Sequence, residues 1–225
     1  MAESGINSDF TLFARRNTAE MTWQASPSTS VWRKRLDHLG ENAESGRVTS
    51  IVRFDSKSSF SPHDHPDGEE ILVLDGVFSD EHGDYPAGTF LLNPTGFRHA
   101  PGSENGCVIF VKLCQYPGLD RPQVTIDSNQ AAWQAHEIEG VEVLPLYGSE
   151  QYPETIRLIR VRPGVTFPKH SHPGGEEVFV IDGALQDESG NHEKGTWLRF
   201  PHDSSHEPSS ETGALFYVKS GHLPR

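Results

Sequence analysis

His63, His65, Glu69 and His99 are the residues of this chain whose types and spacing could do chemistry. In an extended strand successive side chains alternate faces, so the two imidazoles of His63-Asp64-His65 point the same way. Pro66 holds His65 extended, Gly68 lets the chain bend, and Glu69 keeps the parity of His65. His99 follows a strand and a turn later, after Gly88, Pro94 and Gly96. Three imidazoles and one carboxylate suit a first-row divalent cation such as Zn, Fe, Mn, Ni or Cu. Residue types alone do not choose among these. Four ligands closing a tetrahedron would make a structural or sensory ion. The same four in an octahedron would leave two positions open for water, substrate or dioxygen.

The pattern occurs twice. His170, His172, Glu176, Gly183, Gly195, Pro201 and His206 repeat His63, His65, Glu69, Gly76, Gly88, Pro94 and His99 at a constant offset of 107 (170 − 63). The chain has 12 His, and three pairs share that offset; chance gives about 0.3 such pairs, so the repeat reflects duplication. His38, His82, His136, His192, His202 and His222 have no histidine partner at this spacing, which sorts candidate ligands from incidental imidazoles.

Positioning these groups calls for short strands separated by Gly, Pro and Asp turns, the signature of an antiparallel sandwich or barrel. Val31–Leu36, Val48–Phe54, Gly88–Leu92 and Gly106–Leu113 read as strands, with a loop over Glu41–Gly46 and a turn pair at Asp75-Gly76. Ile156–Val161, Val178–Ile181, Trp197–Phe200 and Ala214–Val218 repeat them. Trp133-Gln134-Ala135 echoes Trp23-Gln24-Ala25 at an offset of 110, with a three-residue length change near Glu41. Trp23, Trp133 and Trp197 read as core anchors, and Lys112 and Lys219 as rim lysines. Glu70 and Glu177, beside the ligands but of opposite parity, read as outward or supporting carboxylates, and Arg98 as solvent-facing.

A length of 225 residues with a period near half of it means two domains. The net charge of −13 repels phosphate backbones and argues against nucleic-acid binding. Cys107 and Cys114 make no Cys-x-x-Cys site and no disulfide framework. No apolar run approaches a membrane span and residues 1–20 carry no signal-peptide core, so the expectation is a soluble, cytoplasmic protein without membrane partners.

His63-x-His65-(x)3-Glu69-(x)6-Gly76 and Gly88-(x)5-Pro94-x-Gly96-(x)2-His99 resemble the two motifs of the cupins, with Asp203 replacing the turn glycine in the second copy. The resemblance implies an all-β protein of two tandem double-stranded β-helix, or jelly-roll, domains. It divides the chain into an N-terminal arm (1–20), a first cupin domain (21–116), a linker (117–129) and a second cupin domain (130–225). The stretch Gly68 to Thr89 is similar to cupins of the ChrR type, the sensing domain of a zinc anti-sigma factor. In that domain the residues matching His63, His65, Glu69 and His99 bind zinc, and the repeat carries the role to His170, His172, Glu176 and His206. The expectation is one divalent metal per cupin, zinc first, with iron, manganese or nickel as alternatives. The resemblance implies a regulatory or sensor bicupin, partnered by a sigma factor or other regulator. The His-x-x-x-Cys-x-x-Cys module that grips the sigma factor has no counterpart here. The competing reading is a non-haem dioxygenase acting on a small chelating carbonyl compound, as in the acetylacetone dioxygenase-like cupins, which use iron. Exposed sheet edges leave a homodimer open.

Overall fold

The computed structural model describes residues 5–40 and 46–224. The loop read over Glu41–Gly46, and the length change beside it, fall largely on 41–45, outside the described residues. Among the described residues every regular element is a strand except one 3₁₀ turn, Thr18–Glu20. The protein is all-β, with two jelly rolls of matching strand order.

One unit comprises residues 1–8 and 21–131, the other 9–20 and 132–225. In the first, the main sheet runs Val124–Asp127, Thr89–Asn93, Glu69–Asp80, Cys107–Leu113, Arg47–Phe54, Val31–Leu39 and Gln24–Ala25. In the second it runs Ala14–Asn17, Thr196–Phe200, Glu176–Asp187, Ala214–Ser220, Thr155–Val161, Val141–Gly148 and Gln134–Ala135. Each unit adds a small two-stranded ladder: His63–His65 with Phe97–His99, and His170–Ser171 with Ser205–His206.

The two outermost strands are exchanged between the repeats. Ala14–Asn17, in the stretch read as an arm, pairs with Thr196–Phe200, and Val124–Asp127, in the stretch read as a linker, pairs with Thr89–Asn93. The strand that begins each repeat therefore closes the sheet edge of the other. A sheet edge left bare presents unpaired N–H and C=O groups, and both edges are covered this way.

The apolar residues of each main sheet point inward to a single core. Val52, Phe54, Ile71, Val73, Phe78, Ile109 and Val111 fill the first, and Val161, Val178, Val180, Leu198, Phe200, Phe216 and Val218 the second. Phe54 meets Phe60 and Phe78 edge-on, with ring centroids 5.7 and 5.8 Å apart. Each fully buried phenylalanine contributes about 2–3 kcal/mol through area removed from water.

Asp75-Gly76 is not a turn. It lies inside the long strand Glu69–Asp80, where the ladder to Cys107–Leu113 shifts register. Gly76 sits at φ +71°, and a Cβ there would overlap the Gly106 carbonyl oxygen. Such a bulge bends a strand, so one strand serves both faces of the sandwich. Trp197 is a core anchor, but Trp23 and Trp133 are half-buried under cations, with Lys34 Nζ 4.3 Å from one ring and Arg160 Cζ 4.1 Å from the other. Lys112 and Lys219 are not at a rim: both are buried, and Lys112 Nζ donates to Thr49 Oγ1 at 2.9 Å.

Deleting residues 9–20 is expected to expose the edge of Thr196–Phe200 and destabilise the second unit by on the order of 3 kcal/mol. Hydrogen exchange is the check: protection falls along Thr196–Phe200 while Thr89–Asn93 keeps its own.

Candidate metal centre

The small ladder places the first imidazoles. His99 lies directly across from His63, and Phe97 from His65. The turn before it is set by Gly96 at φ +80° and, in the second repeat, by Asp203 at φ +58°, a left-handed conformation that Asp tolerates better than most residues. Asp64 faces outward between the two histidines and meets Arg98 at 3.1 Å on the surface, which accounts for that arginine.

Backbone carbonyls and carboxylates fix the rings. His63 Nδ1 lies 2.9 Å from the Ser61 carbonyl oxygen and His170 Nδ1 2.9 Å from that of Pro168, so each Nδ1–H donates and Nε2 keeps its lone pair. His99 Nδ1 donates to Asp80 at 3.0 Å and His206 Nδ1 to Asp187 at 3.1 Å. Asp80 also accepts from the Tyr85 hydroxyl at 3.2 Å. In the second repeat His192 stands where Tyr85 stands in the first. Its Nε2 lies 3.0 Å from Asp187, and Arg15 Nε lies 3.4 Å from its other ring nitrogen. A carboxylate behind a metal-facing histidine fixes tautomer and orientation.

The donor atoms converge. His65 Nε2 is 3.0 Å from His99 Nε2, and Glu69 Oε2 is 3.4 Å from His99 Nε2 and 3.6 Å from His65 Nε2. Donors about 2.0–2.1 Å from a shared cation stand about 3.0–3.4 Å apart, so the spacing fits an ion. His63, His65 and His99 form one compact donor group; Glu69 lies against two of its members. In the second repeat His170, His172, Glu176 and His206 offer four donor atoms within 4.8 Å of one another. His172 Nε2 is buried there with no hydrogen-bond partner, as an imidazole reserved for a cation would be.

The two carboxylates sit in different fields. Burial pushes Glu69 up to about 8, against one hydrogen bond from Asn93 at 3.2 Å, and the Asp80 charge adds to the rise. Burial also works on Glu176, but hydrogen bonds from His172 and Ser220 and the His206 charge outweigh it and hold the carboxyl below its ordinary value. Burial drives His65 down to about 3, assisted by the neighbouring His99 and His63. The rings around the donors differ as well. Phe200 occupies the position of Asn93 and lies stacked on His172 with centroids 5.6 Å apart.

Each donor group opens on a cavity. The first, ≈ 730 Å³, is lined by His63, His65 and Glu69 together with Val52, Phe54, Phe78 and Ile109. The second, ≈ 380 Å³, is lined by His170, His172, Glu176 and His206 with Ile159, Phe167 and Phe216. Sequence reasoning missed Asp80, Asp187, Tyr85 and His192. The two aspartates do repeat at the ligand offset of 107, which was the available signal. Of the other candidates, Glu70 and Glu177 are buried rather than outward, and Glu177 accepts from Trp197 Nε1 at 3.2 Å. Cys107 is buried in the core, its thiol pushed up to about 11 by burial, which leaves it unreactive.

The model of the ChrR cupin-like domain matches twice, over residues 13–117 and 121–224. No curated protein matches the sequence. Among solved structures, a candidate dioxygenase from Nostoc punctiforme is similar with a TM-score of 0.77 at 15% identity, over 96% of this chain and 85% of that one. The Escherichia coli protein YlbA gives 0.73 at 11% identity, over 96% and 93%. An oxalate decarboxylase variant from Bacillus subtilis gives 0.65 at 13% identity, over 92% and 77%. At these identities the likeness is one of fold.

Two outcomes are expected from this geometry. Asp80→Asn should lower the cation affinity of the first site about 10–100-fold by loosening His99, measured by chelator competition. At pH 7 cation uptake by the first site should release a proton, because Glu69 near 8 is still largely protonated while His65 near 3 is already neutral. The second site, with Glu176 already ionised, should release none from its carboxylate. Calorimetry in buffers of differing ionisation enthalpy, on variants with one site disabled, separates the two.

Proposed function

The chain belongs to the ChrR cupin-like domain family, and on that premise we propose a metal-dependent bicupin that binds a small chelating carbonyl compound beside the first metal and directs dioxygen onto it. His63, His65, Glu69 and His99 hold one divalent cation, and His170, His172, Glu176 and His206 hold a second. The observation that carries this reading is the convergence of donors onto a cavity of ≈ 730 Å³ with walls of Val52, Phe54, Phe78, Ile109 and Val111. A structural ion needs no such room.

When bound, the metal would supply a Lewis-acid centre that polarises a chelating carbonyl held beside it. The residues of this chain do the rest. Asp80, itself held by Tyr85, fixes the His99 ring so that its Nε2 stays aimed inward. The Ser61 carbonyl does the same for His63. Asn93 orients the Glu69 carboxylate. The aliphatic and aromatic walls lower the polarity around the donors, which strengthens charge interactions there and favours an apolar-flanked ligand. Iron is the metal this reading requires.

The regulatory reading stays in play because of the family match along both halves of the chain. There the ion is zinc, the cavity reports on a ligand, and a sigma factor or other regulator receives the signal.

Protein purified without oxygen should carry about two divalent ions per chain, falling to about one in His63→Ala. Iron-loaded protein should consume dioxygen with at least one member of a 1,3-diketone panel. Zinc retained in place of iron, with no dioxygen uptake by either form, would remove the enzymatic reading and leave the regulatory one.

A further inference from the structure

The two cavities differ in their charged lining, and one difference lies beside the cage. Arg157, on the strand Thr155–Val161, lines the second cavity together with all four donors of its cage. The equivalent residue of the first repeat, on Arg47–Phe54, is Ser50: Arg157 stands opposite Val218 and Ser50 opposite Val111, each 107 apart. Arg157 Nη2 lies 3.4 Å from Ser220 Oγ, and Ser220 Oγ donates to Glu176 Oε2 at 2.8 Å. Ser220 is also particular to the second repeat, since Leu113 takes its place in the first. The guanidinium is thus tied to the cage through one hydroxyl, and its Nε is buried with no hydrogen-bond partner.

A guanidinium is a rigid fork of donors that stays charged at all working pH and matches a carboxylate in two-point contact. Arg157 is half-buried, and where its Nε is cut off from water one long contact from Nη2 to a hydroxyl does not replace the lost hydration. The remaining wall is Ile138, Ile159, Phe167, Phe216 and Val218, with His136 and Glu137 also in the lining. Inside such a wall an anion would meet positive charge at the cation of the cage and at Arg157. The first cavity has an arginine too, Arg33, but on the neighbouring strand, where Val143 is the second-repeat counterpart.

We propose that the second cupin is an anion site: it binds a small carboxylic acid with one oxygen donor on the cage metal and a carboxylate on Arg157. The two repeats then divide the work, the first cavity taking an uncharged chelator and the second an acid. This rests on the reading of His170, His172, Glu176 and His206 as a metal cage.

Malonate and its uncharged analogue malonamide are the probes, titrated calorimetrically into metal-loaded full-length protein whose metal content is assayed before and after. Malonate should bind at one tight site per chain and malonamide at least tenfold more weakly. Arg157→Gln should weaken malonate about tenfold or more with metal content unchanged, Arg157→Lys should recover part of the loss, and His63→Ala should leave the site intact. Equal binding of malonate and malonamide by the unaltered protein would overturn the proposal, as would malonate affinity unchanged in a metal-loaded Arg157→Gln chain. Failure of His170→Ala to remove a metal ion would instead defeat the cage reading beneath it.

Discussion

Everything at the two centres depends on a pair of short antiparallel ladders. His63 must face His99, and His170 must face His206, in one register. A slip by one residue would turn each imidazole to the opposite face and bring Asp64 or Arg98 inward. The ladders are only two or three residues long, so their own hydrogen bonds cannot hold that register. The register is held from outside: by the left-handed turn residues Gly96 and Asp203, by the long bulged strands that deliver Glu69 and Glu176, and by Asp80 and Asp187 behind the far histidines.

Much of this could be read in the sequence, for physical reasons. Metal chemistry admits few residue types, and duplication at a fixed offset separates those histidines from the incidental ones. The strand periodicity of the apolar runs gave the sandwich. What could not be read was anything decided by packing across the fold. Asp80 and Asp187 end their strands at positions where a carboxylate is ordinarily solvated, so their role shows only once the far histidine is placed beside them. His192 lacked a histidine partner because its counterpart is Tyr85; each places a donor near the aspartate of its own repeat, with different chemistry. A lysine in an apolar strand reads equally well as a rim or a buried residue, and Lys112 and Lys219 proved buried. Trp23 and Trp133 have the right type for a core, but the strands they precede lie at the sheet margins, where cations cover them.

The duplication preserved the cages more faithfully than their surroundings. All eight donor positions keep their residue types, whereas Asn93 became or arose from Phe200, Tyr85 pairs with His192, and Ser50 with Arg157. The consequence is visible in the carboxylates, one pushed up to about 8 and the other held below its ordinary value by added hydrogen bonds. Two donor sets of the same residue types in different fields would bind, release and select a cation on different terms.

The exchanged edge strands also set a timetable. A ribosome delivers Ala14–Asn17 early, yet the strand it zips onto, Thr196–Phe200, emerges about 180 residues later, roughly 10–40 s at ordinary elongation rates. Throughout that interval the early strand has no native neighbour. The other exchanged strand, Val124–Asp127, meets Thr89–Asn93 almost as soon as both have left the exit tunnel. The first sandwich can thus be complete mid-synthesis, while the second is sealed last, by a segment made first.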